Sequence, residues 1–269
     1  MNKVFSGIER FGIFKATEST LFKDDDRGTM PSLSKDLRFE EYIFEREVSC
    51  PVCKSTFLTP TMRSRKARIL ESDFDLKPNY EGLESVCYEV VTCTVCGYSS
   101  LMSTFDKLTE TQAMSVGANV SQVIMNLASL PMNLSIEEAI LKFKLALYCC
   151  VFKNAKDSEK AFTSLKIAWL YRALGDKAEE KYYLSLAYKG FTTAYNEEDL
   201  PFMGMDYHVT NYLLGQLALN LGEYADAKRK LSALLMDKQT PPKIKSKVEY
   251  ALEELKSALR KIQAEEKTE

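Results

Sequence analysis

Tyr88-Glu89-Val90-Val91-Thr92-Cys93-Thr94-Val95-Cys96-Gly97-Tyr98 is the stretch from which the rest of the chain can be read. Its first half is rich in β-branched and aromatic residues, the composition of a strand. It runs directly into two cysteines separated by two residues. That spacing lets a tight turn present both sulfurs to one ion, and Gly97 supplies the permissive backbone that such a turn needs. A matching pair, Cys50-Pro51-Val52-Cys53, lies upstream, with 39 residues between the pairs. Four thiolates complete a tetrahedral site with no open position, so Cys50, Cys53, Cys93 and Cys96 are expected to hold one structural Zn2+. The long insertion is tolerable because the entropy of loop closure grows slowly with length.

Other uses of these cysteines fit less well. A redox pair would open a helix in a βαβ context, and neither pair does. Four thiolates also suit an iron–sulfur centre, and spacing alone leaves both metals open. Of the remaining cysteines, Cys150 falls on an apolar helix face and reads as core, and Cys87 reads as an ordinary strand residue.

Outward from the cysteines, the 269 residues divide into three zones. Residues 1–45 mix charge with turn signals at Gly28 and Pro31 and read as a loosely packed lead-in with short elements. Residues 46–108 read as a zinc ribbon with an insertion between its knuckles, with Thr56 to Thr59 as a further strand that Met62 to Leu70 could extend. Residues 109–269 read as helical throughout. Ser135-Ile136-Glu137-Glu138 is a capping box, and Ala139, Ile140, Phe143, Leu147 and Cys150 follow on one face. Further helices are predicted near 158–174, 177–195, 206–221 and 224–236, with a last one opened by Pro241-Pro242. The fold class is therefore α+β: a small β domain followed by an all-α domain.

Within the helical zone, Tyr212, Leu214-Gly215, Gly222, Tyr224, Ala227, Leu231 and Leu234 fall close to the tetratricopeptide pattern. Gly215 would let paired helices approach, and Gly222 would turn one into the next. A weaker copy runs through Ile167-Ala168, Gly175-Asp176, Leu184 and Ala187. Gly175 and Gly222 are 47 residues apart, against about 34 in a regular array. Longer helices or an inserted turn would account for the difference.

The insertion carries Arg63, Arg65, Lys66 and Arg68, followed by Asp73 and Asp75. Arg63, Arg65 and Arg68 are candidates for an anion or a partner. The competing and favoured expectation pairs the arginines with Asp73 and Asp75 across a hairpin, because basic and acidic residues balance over 46–105. No phosphate loop, nucleophile elbow or His–Glu metal motif appears. The single histidine, His208, reads as a partly exposed helix residue. The net charge of −2, from 36 basic and 38 acidic residues, disfavours bulk nucleic-acid binding. The N-terminus has no signal-peptide pattern, and no apolar run is long enough to span a bilayer. A cytoplasmic protein is expected, without membrane contact.

These pieces in their order resemble a bacterial family of unknown function, DUF2225. The resemblance rests on Cys-Pro-x-Cys, Arg63-Ser64-Arg65, Asp73-Phe74-Asp75, Tyr80-Glu81-Gly82, and Tyr88-Glu89-Val90 running into the second knuckle. It continues through Ala161 to Trp169, Gly204-Met205-Asp206, and Tyr212-Leu213-Leu214 to Tyr224, spanning roughly 40–255. Thr94 stands where the family repeats proline, and Ser99 where it favours alanine; neither touches a ligand. What the resemblance implies is a cytoplasmic protein of Gram-positive bacteria with a zinc ribbon ahead of tetratricopeptide-like helices. It carries over no activity.

Three functions compete. The leading one is a non-enzymatic interaction protein whose helical hairpins bind a protein or peptide. The second is nucleic-acid binding through the ribbon and its basic insertion. The third is an enzyme with a site at the ribbon–helix junction, using Arg65, Asp73, Asp75 and Tyr80.

Overall fold

The computed structural model describes residues 3–7, 39–63, 70–81, 83–121 and 131–265. Among these the architecture is α+β, with two β-hairpins followed by seven helices. A short helix α1 (Phe39–Tyr42) leads into β1 (Ile43–Ser49), which pairs antiparallel with β2 (Thr56–Met62) from Ile43↔Met62 to Ser49↔Thr56. The second hairpin joins β3 (Val90–Thr92) to β4 (Ser99–Leu101). Each cysteine pair sits in the turn of one hairpin.

Strand composition overstated the length of β3. Ser85–Tyr88, including Cys87, forms a buried 3-10 turn, and only Val90–Thr92 pairs as a strand. The turn closes with Glu89 N–H donating to the Val86 carbonyl at 3.1 Å, so residues 85–88 coil instead of pairing as a strand.

α2 (Glu110–Asn119) begins at a capping box formed by Thr109 and Gln112. Its Gly117 faces Val52 of the first knuckle. α3 (Ile136–Phe152) begins at the expected box, with Ser135 Oγ accepting from Glu138 N–H at 3.1 Å and Glu138 Oε2 accepting from Ser135 N–H at 2.8 Å. Leu145 to Cys150 is buried without interruption, because α3 lies between the second hairpin and the later helices.

α4 (Asp157–Leu174) and α5 (Lys177–Glu197) form the first helical hairpin. Gly175 ends α4 in the left-handed region at φ +77°, and the Asp176 carboxylate caps α5. The two helices touch where Gly190 meets Ala161. α6 (Tyr207–Leu221) and α7 (Tyr224–Met236) repeat the device with Gly222 at φ +87°. α8 (Pro242–Glu265) then packs against both. The 47-residue offset follows from the 21 residues of α5 and the segment 198–206 before α6.

One hydrophobic core runs from both hairpins through α3, α4 and α5 into part of α6. A second gathers α6, α7 and α8 around Tyr212, Leu231 and Val248. Leu76, from the insertion between the knuckles, packs against both cores. The described start of the lead-in is a short 3-10 turn, Lys3–Phe5, that packs into the core. Val4 and Phe5 are fully buried, Phe5 meets the Tyr148 ring edge-on, and Tyr183 Oη donates to the Val4 carbonyl at 2.8 Å. The rest of the acidic and glycine-containing lead-in, residues 8–38, lies outside the described residues.

Candidate metal centre and the groove beside it

The two knuckles are built alike. In the first, Cys50 N–H donates to the Ser55 carbonyl and Lys54 N–H to the Cys50 carbonyl, at 2.9 and 3.0 Å. In the second, Cys93 N–H donates to the Tyr98 carbonyl and Gly97 N–H to the Cys93 carbonyl, at 2.8 and 2.9 Å. The residue after the second cysteine is left-handed in both, Lys54 at φ +63° and Gly97 at φ +74°. Only that conformation turns the chain sharply enough to aim both sulfurs the same way.

The hairpin tips meet, bringing all four sulfurs within 4.8 Å of one another. Cys50 and Cys96 Sγ are 3.6 Å apart, as are Cys53 and Cys93 Sγ. Tetrahedral coordination at a metal–sulfur distance of about 2.3 Å puts sulfurs about 3.8 Å apart, so these four fit one ion. Electrostatics point the same way. Hydrogen bonds from Cys50 and Cys96 hold the Cys93 thiol down at about 2, while the Cys50 and Cys96 thiols are pushed up by their contacts with the other sulfurs and by burial. Of Cys50, Cys93 and Cys96, Cys93 is therefore the one most readily ionised. A bound cation would let all four ionise.

The insertion behaves differently from expectation. Arg63 stacks over the Phe44 ring at 4.8 Å, and Arg65, Lys66 and Arg68 lie outside the described residues. Asp73 and Asp75 take their ion pairs from Arg172 in the last turn of α4, not from Arg63. Arg172 Nη1 donates to Asp73 Oδ2 at 2.8 Å and Nη2 to Asp75 Oδ2 at 2.5 Å, while Nε binds Glu180 of α5 at 2.6 Å. Asp75 is 1% exposed and also accepts from Trp169 Nε1 at 3.0 Å. A buried carboxylate must be saturated in this way, and helix α4 offers both donors on one face.

Around this anchor the insertion and the helices form a groove of about 740 Å³. Its walls are residues 71–75 and Asn79 on one side, and Gln216, Asn220 and α8 residues 246–254 on the other. Phe74 lies flat on Tyr250, with centroids 4.5 Å apart. Tyr212 Oη donates to the Phe74 carbonyl at 2.7 Å. Tyr80 is not part of it. With Thr61, Met62, Phe162 and Lys166, it lines a separate cavity of about 410 Å³. His208 sits in the first turn of α6, beside Asp237 at 3.1 Å.

Sequence reasoning missed Arg172, Gln216, Lys247 and Tyr250. They lie on three helices, Arg172 on α4, Gln216 on α6 and Lys247 with Tyr250 on α8, so no spacing along the sequence links them. Trp169 was within a quoted motif, and a lone tryptophan whose indole needs a buried acceptor could have led to Asp75.

The chain belongs to DUF2225, described as an uncharacterized protein conserved in bacteria, whose family model matches residues 43–259. No curated protein and no solved structure matches it.

Proposed function

We propose that this member of an uncharacterized bacterial family is a non-enzymatic interaction protein, in which Cys50, Cys53, Cys93 and Cys96 hold one structural zinc and the helical groove receives a protein partner. Zinc is the reading that suits four thiolates in a closed site, and it supplies the charge that keeps them ionised. We infer a cytoplasmic setting in a Gram-positive bacterium, where thiols stay reduced.

The observation that carries the partner-binding reading is the groove, where the insertion and the helical face converge on preorganised walls. Hydrogen bonds from Arg172, Trp169 and Tyr212 hold residues 73–75 before anything binds, which lowers the entropy lost on association. The tetratricopeptide-like reading of α4 to α7 is supported by the Gly215–Leu231 contact and by the left-handed glycine ending each first helix. Asp73 and Asp75 have their lone pairs taken by donors, which favours a positioning role over general-base chemistry.

The test is photocrosslinking in living cells. A benzoylphenylalanine at Tyr250 in the groove is expected to yield a discrete protein adduct, and one at exposed Met114 on α2 is not. No adduct from position 250, or the same adducts from 114, would overturn the reading.

A further inference from the structure

We infer that the groove recognises a basic segment of its partner, seating an arginine or lysine side chain against Glu71, Glu254 and the buried amide of Gln216. This rests on the partner-binding reading and adds the chemistry of what is bound.

The argument begins with an inventory of donors and acceptors. Both basic side chains on the groove wall are already engaged. All three guanidinium nitrogens of Arg172 meet carboxylates of Asp73, Asp75 and Glu180. Lys247 Nζ donates to the carbonyls of Ser72 and Asp73, both at 3.3 Å. The groove wall thus sets four carboxylates, Glu71, Asp73, Asp75 and Glu254, against two cations, Arg172 and Lys247, a net negative surface that disfavours an incoming phosphate or carboxylate.

Acceptors, in contrast, remain. The carboxylates of Glu71 and Glu254 make no ion pair among the described residues. Gln216 is only 1% exposed, and its Nε2 donates to Asn220 Oδ1 at 2.9 Å. Its Oε1 is buried without a partner. A buried acceptor left unpaired costs on the order of 1–3 kcal/mol, a penalty that a bound donor would remove. Gln216 lines the groove, so a small adjustment of its side chain would present this oxygen to a donor entering from solvent.

The aromatic rim has the same preference. Phe74 and Tyr250 are stacked and exposed, at 40% and 56%; Lys247 Nζ already lies over the Phe74 ring at 5.7 Å, so the outer face of Tyr250 is the one left to an incoming cation. A guanidinium meets all three demands at once. It is planar enough to lie on the Tyr250 ring, rich in donors for Gln216, and positive toward Glu71 and Glu254. The volume of about 740 Å³ lies within the range of about 300–1,000 Å³ usual for ligand sites, so the groove accepts side chains but not a folded domain.

The probes are acetyl-hexaarginine amide and acetyl-hexaglutamate amide, titrated into the full-length, zinc-loaded protein. The single tryptophan, Trp169, reports the titration because its indole donates to Asp75 on the groove wall. A saturable change in its emission is expected with the arginine peptide, weakening as salt is raised, and none with the glutamate peptide. Glu254→Lys should weaken arginine-peptide binding about tenfold or more, as expected for reversing a charge at a contact. Glu197→Lys, an equal charge change on an exposed residue at the far end of α5, should leave it within about twofold. Gln216→Leu, checked for retained fold by circular dichroism, should also weaken binding.

Equal loss in both lysine variants would mean nonspecific attraction and would overturn the inference, as would glutamate-peptide binding of similar strength. If neither peptide binds while crosslinking at position 250 still succeeds, the basic-segment inference fails and the groove remains a partner site.

Discussion

Replacing Glu159 by alanine should destabilise the protein more than any surface charge change, because it strands a buried lysine. Glu159 Oε1 accepts from Lys153 Nζ at 2.6 Å, from Thr104 Oγ1 at 2.7 Å and from Ser100 Oγ at 3.2 Å. The Lys153 side chain is 3% exposed and that of Glu159 13%. Four segments meet here: β4 through Ser100, the turn after it through Thr104, the end of α3 through Lys153, and the first turn of α4 through Glu159. Without the carboxylate, the ammonium keeps only the Ser100 hydroxyl, at 3.1 Å. Breaking one side of a buried pair costs about 3–5 kcal/mol, and the retained hydroxyl and partial access for water place this case near about 3.

Urea unfolding of the metal-loaded protein provides the measurement. With a slope of about 2–3 kcal/mol/M, the midpoint should fall by about 1 M without a change of slope. The double variant Lys153→Met/Glu159→Leu should recover most of that loss, to within about 1 kcal/mol of the parent, since apolar groups of similar volume often replace a buried pair without cost. A single-variant cost under about 1 kcal/mol, or a double variant as unstable as the sum of its singles, would refute the reasoning.

Lys142 is buried with no partner for its ammonium, and burial pushes its pKa down from 10.5 to about 8, so the folding penalty is full below pH 8 and fades as pH rises to 10.5. Lys142→Met should therefore add up to about 3 kcal/mol at pH 7, with an advantage over the parent that shrinks through that window; an advantage that does not change between pH 7 and 10.5 would contradict it. Elemental analysis should find one zinc per chain, and chelation should release hydrogen-exchange protection in β1 to β4 while α6 to α8, whose core contains no ligand, keep theirs. Equal loss in all helices would tie the second core to the metal. Gly190→Ala should cost about 1–2 kcal/mol despite better helix propensity, because the added carbon would lie 2.9 Å from the Ala161 methyl; a higher melting temperature would show that α5 can shift away.

Much of the secondary structure was legible because its signals are local. The capping box at Ser135, the αL glycines at Gly175 and Gly222, the Asp206 cap and the Pro241-Pro242 opening each act within one turn of chain, and the observed helices begin and end where those residues stand. The cysteine cluster was legible for a similar reason. Each knuckle is a turn, and the spacing within it is set by covalent geometry.

The amino-acid sequence by itself therefore determined the helices, the hairpin turns and the four sulfurs that could share an ion. Tertiary structure alone decided which charges pair. Asp73 and Asp75 had arginines nearby in sequence, yet the cation they hold is Arg172, almost a hundred residues away. The ionic attraction between exposed neighbours is weak and screened. A buried carboxylate instead demands donors held rigidly in place, and only a packed helix presents Arg172 and Trp169 together. The groove follows from the same cause, since Leu76 must reach both cores before residues 71–75 can face α8.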